Sequence, residues 1–250
     1  MKLVDRDYQI FKEIDRWRFC LGRHIKVLAD FKGQRACDRR LHVLIQAGYI
    51  EREKILYGIP SIYRLTYKAK MLIGANKRHD KVRVDNIAHD IAVIDTAVYM
   101  RDYYRLSLSD IITEKHLHSR DGFSMRKHYP DFVIKRNYRK TINHVNNDGI
   151  GNSKENNNKE NNAIIKNTNI KNTVDNNDET YCVEIEMSMK SKERLNKTLK
   201  SNFIIYDAQI WVIGMANLKL FRILEDSKKQ YPNISIMNIE DVKNYIKEKY

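Results

Sequence analysis

Two short stretches of the sequence place acidic side chains within runs of apolar residues, at 128–134 and 181–190. In the second stretch, alternation with a period of two predicts a buried strand that carries Glu184 and Glu186 on one face. Carboxylates about 6–7 Å apart on one strand face repel each other, so the arrangement costs stability unless a cation or base neutralises it. The spacing therefore predicts a site that attracts positive charge.

The first stretch adds Asp131, and the end of the second adds Lys190. Three carboxylates and an ammonium are the groups that bind Mg²⁺ or Mn²⁺ and stabilise the charge that develops when a phosphodiester is attacked. An exposed strand face with ordinary acids is the alternative for most isolated Glu-x-Glu triplets. Here the strand is otherwise apolar and a basic helix follows it, which favours a functional site.

These residues resemble the PD-(D/E)xK nuclease signature, with Pro130-Asp131 as its first part and Glu184-x-Glu186 followed by Lys190 as its second. More narrowly, the chain is similar to the replication-relaxation family, which includes the MobC-type plasmid mobilisation relaxases. The resemblance implies a catalytic set of Asp131, Glu184, Glu186 and Lys190, with the three acids as ligands of Mg²⁺ or Mn²⁺. It also implies double-stranded DNA of an origin region as partner, together with other mobilisation or replication proteins.

The chain departs from the usual signature at the lysine. That lysine normally stands two residues after the first strand acid, where this sequence has Glu186. If Glu186 is counted as the acid, Ser188 occupies the place. Two interpretations stay open: a glutamate has replaced the lysine, or the lysine has moved to Lys190.

The first 76 residues resemble a winged helix. Hydrophobic periodicity predicts helices over residues 3–17, 22–31 and 34–47, and Gly48 stands where a glycine that ends a helix is expected. Two strands are predicted next, over 49–56 and 61–67. Helices followed by a β-hairpin are the order found in bacterial DNA-binding winged helices.

The third predicted helix and the hairpin carry candidate DNA contacts. On the helix, polar side chains at i, i+4 and i+7 share one outward face and can donate to guanine edges and phosphates in a major groove. The candidates are Gln34, Arg35, Arg39 and His42 on the helix, and Lys54 and Tyr57 on the wing. A solvated helix face, or a winged helix that contacts protein, is the alternative.

After a polar linker at 77–85, the order of elements predicts a second domain over 86–250. A helix over 89–104 begins with His89 and Asp90. The nuclease resemblance implies that either can reach the acidic site, and the alternative for Asp90 is that it simply favours the helix N-terminus. A strand over 106–112, the motif strands, a basic helix and further strands and helices complete the order of a nuclease core. The predicted fold class is α/β (α+β overall), a winged helix followed by a restriction-endonuclease-like domain.

The region between the two motif strands has a composition of its own. Fourteen of the thirty-seven residues in 142–178 are asparagine. Such a segment lacks the apolar area needed to offset the entropy lost on ordering. We therefore predict a disordered insertion over 139–178 at the tip of what is otherwise a hairpin.

The composition favours a polyanionic partner. Forty-six basic residues against thirty-two acidic ones give a net charge of +14. Three scattered cysteines form no C-x-x-C pair and no disulfide framework, which predicts a reducing, cytoplasmic setting. No apolar run approaches the ~18 residues that a membrane span needs, so no membrane insertion is expected.

A competing chemistry is the His-hydrophobic-His metal motif of tyrosine nickases. His116-Leu117-His118 matches it literally, and Tyr67 and Tyr245 are formal nucleophile candidates. That motif needs a buried strand, whereas this one stands in a stretch that we interpret as a loop.

Together with these residues, the family resemblance implies a protein that binds an origin of a plasmid or conjugative element and nicks one strand by metal-dependent hydrolysis. The rival is a non-catalytic accessory or replication-control protein that binds an origin and carries a decayed nuclease domain.

Overall fold

The computed structural model describes residues 2–76, 82–121, 128–137 and 178–249. These residues form a mixed α/β structure, as predicted. Met1–Lys135 and Thr180–Tyr250 together form one compact unit, while Arg136–Glu179 form a second that is described only at its ends. The predicted boundary between domains at 1–76 and 86–250 stays a prediction. Nearly all of the predicted insertion lies outside the described residues, and so does 77–81 of the predicted linker.

The N-terminal region contains helices and a three-stranded antiparallel sheet. Its elements are α1 (Asp5–Trp17), β1 (Cys20–Leu21), α2 (Gly22–Leu28), α3 (Gln34–Gln46), β2 (Ile50–Glu53), β3 (Ile62–Leu65) and α4 (Tyr67–Leu72). The strand order is β1-β3-β2, with Cys20 opposite Tyr63 and Ile50 opposite Leu65. Buried Phe11 and Ile14 on α1 and Leu41 and Leu44 on α3 contribute to the core.

Gly48 ends α3 as the sequence predicts. Its φ of +73° is a left-handed conformation that glycine adopts without a Cβ clash. The Gly48 N–H donates to Ile45 O at 2.9 Å and the Tyr49 N–H donates to Leu44 O at 3.0 Å, which are the two bonds of a Schellman motif. This turn directs the chain from the helix into β2.

The rest of the described chain builds a five-stranded mixed sheet. Its elements are α5 (Ile87–Tyr103), β4 (Ile111–Thr113), α6 (Glu114–Asp121), β5 (Phe132–Asn137), β6 (Asp178–Glu186), α7 (Lys192–Ile205), β7 (Ala208–Ile213), α8 (Leu218–Ser227), β8 (Ile234–Asn238) and α9 (Ile239–Lys249). The order is β4-β5-β6-β7-β8. β4 pairs antiparallel with β5, whereas β6, β7 and β8 run parallel.

Both faces of this sheet are buried. Val183 and Ile185 on β6 belong to a large core that includes residues of α5 and α9. On the other face, Trp211 and Ile213 of β7 pack in a cluster with Leu195 of α7. A β6 residue is therefore buried on either side, and an acid there needs a partner.

Several predicted elements need correction. The stretch around His116-Leu117-His118 is helical (α6) and is not a loop. Tyr67, predicted as the end of a strand, begins α4, because the Thr66 hydroxyl accepts a hydrogen bond from the Ala69 N–H at 3.4 Å and caps a helix.

The strand predicted over 106–112 is confined to β4, since a 3-10 turn occupies Leu108–Asp110. The strand predicted from residue 128 begins at Phe132, and Asp178, assigned to the insertion, is the first residue of β6.

Candidate active site

The acids of the two motifs meet where β5 begins and β6 ends. Asp131 stands immediately before β5, and its Oδ2 accepts a hydrogen bond from the Ile185 N–H at 2.7 Å. Asp131, Glu184 and Glu186 line one cleft of about 920 Å³. Residues more than fifty positions apart in the sequence are thus neighbours, as the predicted pairing of the motif strands requires.

Glu184 is the most deeply buried of the three acids, with 2% of its surface exposed. Its Oε1 accepts a hydrogen bond from Asn202 Nδ2 at 2.9 Å and lies 2.7 Å from His128 Nε2. These two contacts provide the partners that a buried carboxylate needs. Sequence reasoning missed Asn202 in this role. The available signal was the amide's position on the buried face of α7, beside Leu195, Thr198 and Leu199.

Glu186 is paired with Lys190. The Lys190 Nζ lies 2.6 Å from Glu186 Oε2, an ion pair whose angles are not those of a hydrogen bond. The predicted lysine therefore reaches the acidic site from the turn between β6 and α7, and it offsets the charge of the acid that stands in the usual lysine position.

His89 of α5 also lines the cleft. Its Nε2 lies 3.1 Å from Ile185 O and 3.5 Å from Asp131 Oδ1, and its Nδ1 lies 3.5 Å from Asp90 Oδ1. The Asp131 carboxylate and then that of Asp90 raise the pKa of His89 to about 10. A protonated His89 places a positive charge beside Asp131 at neutral pH. His89 therefore lies beside the acids, where the resemblance implied that it could reach.

Carboxylate oxygens are the donors that Mg²⁺ and Mn²⁺ prefer. Within the described ranges, no three His, Cys, Asp or Glu side chains form a group that could hold a metal ion. Mg²⁺ in proteins is commonly held by one or two carboxylates, while water and substrate phosphate supply its other ligands. The chemistry of the donor set therefore fits such an ion, with a coordination shell that the protein completes only in part.

The rim of the cleft carries cations as well as acids. Arg18 pairs with Glu114 at 3.2 Å and Lys115 pairs with Asp15 at 2.9 Å. Arg83 and Arg194 are exposed, and neither has an ion-pair partner among the residues that the structure describes. A negatively charged polymer can therefore approach the acids between positive side chains.

The candidate DNA contacts on α3 and the hairpin are all exposed: Gln34, Arg35, Arg39, His42, Lys54 and Tyr57. The outward face of α3 also includes Asp38, and Gln34 Nε2 donates to Asp38 Oδ1 at 2.7 Å. Tyr57 is fully exposed at the hairpin tip, where the Lys54 Nζ donates to Ile59 O. Arg40, next to Arg39, instead faces inward and pairs with buried Asp7.

The tyrosine-nickase residues are not brought together. His116 and His118 are two positions apart on α6, and side chains at that spacing do not face each other on a helix. His116 Nδ1 lies 2.8 Å from the Thr113 hydroxyl, and His118 packs against the Tyr129 ring. The Tyr245 hydroxyl donates to Asp102 Oδ2 at 2.6 Å. This geometry gives no support to the histidine metal motif.

Compared with known proteins, the chain matches no family model, and no curated protein or solved structure is significantly similar to it. The family resemblance of the motif residues therefore stays a prediction. Among the described helices, none is both long enough and apolar enough to cross a lipid bilayer.

Proposed function

We propose that this chain is a sequence-specific DNA-binding protein that nicks one strand of duplex DNA by metal-dependent hydrolysis. One observation carries the proposal: Asp131, Glu184 and Glu186 line a single cleft, and Asp131 is held against β6 by the Ile185 N–H. Apart from α6, which lies between β4 and β5, the element order α5-β4-β5-β6-α7-β7 and the mixed sheet support a PD-(D/E)xK nuclease-like domain. The resemblance to the replication-relaxation family suggests an origin of a plasmid or conjugative element as the target.

DNA binding is assigned to the N-terminal region as a winged helix. In support, α3 precedes an antiparallel hairpin, the sheet order is β1-β3-β2, and the basic residues Arg35 and Arg39 are exposed on α3. The net charge of +14 favours a polyanion at long range.

In the proposed site, Asp131 and Glu184 are the carboxylates that would hold Mg²⁺ or Mn²⁺. When bound, such an ion supplies a Lewis acid for a phosphate oxygen and lowers the pKa of an attacking water. Of the two roles predicted for Glu186, further ligand or general base, the second is proposed, because the described acids form no group of three that could hold a metal ion. Lys190 offsets the clustered negative charge and stabilises the additional charge on the phosphate in the transition state.

The test uses supercoiled plasmid that carries the origin of the element encoding this chain. We expect open circles with Mg²⁺ or Mn²⁺, and no open circles with Asp131→Ala or Glu184→Ala, while both variants still bind DNA. Asp226→Ala is the matched control, because this exposed acid on α8 lies outside α7 and does not line the cleft. A denaturation-resistant adduct that disappears in a tyrosine variant would contradict hydrolysis by water.

A non-catalytic origin-binding protein is the second candidate. It is favoured by the partners that the acids already have: Glu184 contacts His128 and Asn202, and Glu186 pairs with Lys190. Calorimetry with Mn²⁺ on the wild type and on Asp131→Ala separates the two functions. Binding that Asp131→Ala weakens supports the nuclease, whereas no binding and no cleavage with any metal support the accessory protein.

A further inference from the structure

We propose that the exposed face of α7 is a second nucleic-acid interface, which holds the phosphate backbone of DNA that passes the carboxylate cleft. The inference rests on the proposed function for the identity of the polymer. It adds a binding surface separate from α3 that contacts phosphates without reading sequence.

The exposed side of α7 is strongly positive. Lys192, Arg194, Lys197 and Lys200 are all exposed, and in the described part of the chain none of them has an ion-pair or hydrogen-bond partner for its side chain. Glu193 is the acid that interrupts them. Unpaired cations on a folded surface repel one another, and this repulsion is relieved when a polyanion binds and releases its counterions.

This face continues directly from the cleft. Arg194 lines the cleft together with Glu186 and Lys190, and Lys197 and Lys200 follow along the same helix. At 1.5 Å per residue, Arg194 and Lys200 are about 9 Å apart along the helix axis, which corresponds to between two and three nucleotides at about 3.4 Å each. A strand with one phosphate at the acids can therefore place its next phosphates beside these cations.

A membrane surface is the competing occupant, because Phe203, Ile204 and Ile205 are exposed at the end of α7. An interfacial helix needs an apolar face along its length that is free to enter the lipid. The apolar face of α7 is already buried, since Leu195 and Leu199 lie in the core against the sheet. The exposed apolar residues are confined to the last turn, away from the cleft, so the charge favours DNA.

The test compares two triple variants that change the net charge equally. Arg194→Glu, Lys197→Glu and Lys200→Glu are combined in one protein. Lys219→Glu, Arg222→Glu and Lys247→Glu, positions on α8 and α9 that do not line the cleft, form the control. Affinity for a short labelled duplex of random sequence is measured by fluorescence anisotropy in EDTA, between about 50 and 200 mM salt. Circular dichroism verifies that both variants are folded.

For the α7 variant we expect weaker binding. The slope of log affinity against log salt should also be less steep by about 2–3, because each phosphate that the helix no longer neutralises removes about 0.9 from the slope. The control variant should keep a slope close to that of the wild type. Equal reductions in both variants, or no change in the α7 variant, overturn the proposal. The proposal is also overturned if the α7 variant binds phosphatidylserine vesicles more weakly than the wild type while its DNA binding is unchanged.

Failure of the proposed function gives a different result. Because binding is measured without metal and without cleavage, an inactive site leaves the α7 effect intact. An Arg39→Ala variant that binds normally would likewise remove α3 from the proposed function and leave α7 as the DNA-binding surface.

Discussion

Replacing Asp95 by alanine should destabilise the whole compact unit, because this carboxylate joins α5 to the N-terminal region. Asp95 Oδ2 accepts from Arg23 Nη2 at 2.7 Å, and Asp95 Oδ1 accepts from His24 Nε2 at 2.9 Å. The other ring nitrogen of His24 accepts from the Leu21 N–H at 3.2 Å. This pattern fits a neutral imidazole with its proton on Nε2.

The size of this destabilisation depends on the groups that lose their partner when the Asp95 carboxylate is removed. Breaking a buried ion pair by removing one partner costs about 3–5 kcal/mol, and an unsatisfied buried donor costs about 1–3 kcal/mol. His24 is buried, whereas the Arg23 side chain is 28% exposed and can regain water. We therefore expect Asp95→Ala to lower the free energy of unfolding by roughly 2–4 kcal/mol.

The assay is urea unfolding of the full chain, followed by far-ultraviolet circular dichroism. We expect a lower midpoint with an unchanged slope in one transition, because Arg23 and His24 belong to the same compact unit as Asp95. Asp226→Ala is the control: its side chain is 79% exposed and pairs with Lys229 at 3.7 Å, so its effect should stay within about 0.5 kcal/mol. If Asp95→Ala behaves like this control, the linking role assigned to Asp95 is wrong.

The contact between His24 and Asp95 makes the stability of the protein depend on pH. Burial lowers the pKa of His24 below its ordinary value of 6.5. Just below pH 6.5 the imidazole is therefore protonated in the unfolded chain but still neutral in the folded chain. Stability is therefore retained above that pH and falls as the pH drops below it. Burial favours a higher pKa for Asp95, but hydrogen bonds from His24 and Arg23 lower it below 3.8, so its contribution is lost only in stronger acid. His24→Gln should remove the loss of stability that begins as the pH falls below about 6.5.

Three further outcomes are expected. Gly48→Ala should lower the free energy of unfolding by about 1–2 kcal/mol, because the φ of +73° at Gly48 is unfavourable for a residue with a Cβ. Thermal melting measures the effect, and Gly33→Ala, at a position with open space, is the control. Arg39→Ala should weaken binding to an origin duplex by roughly 1–3 kcal/mol if it contacts a base, as a titration against random duplex would reveal. EDTA should stop nicking while the DNA stays bound. A gel-shift assay in which EDTA abolishes binding would contradict the assignment of nicking and DNA binding to separate sites.

Local sequence signals determined much of this structure. The 3.6-residue periodicity located α1, α2 and α3, and alternation located β6, because the side of an element that is buried is encoded in its own residues. Gly48 marked the end of α3 because glycine readily adopts the left-handed backbone conformation that ends a helix, and this property does not depend on tertiary contacts. The acids at 131, 184 and 186 were candidates by residue type and spacing alone.

The tertiary structure decided which groups surround those acids. His128 and Asn202 at Glu184, and His89 beside Asp131, come from separate elements whose approach depends on how α5 and α7 pack on the sheet. No local pattern encodes such contacts, because each partner is an ordinary residue in its own helix or loop. Short elements such as β1 also escape prediction, since two residues display no period and are held by pairing with β3.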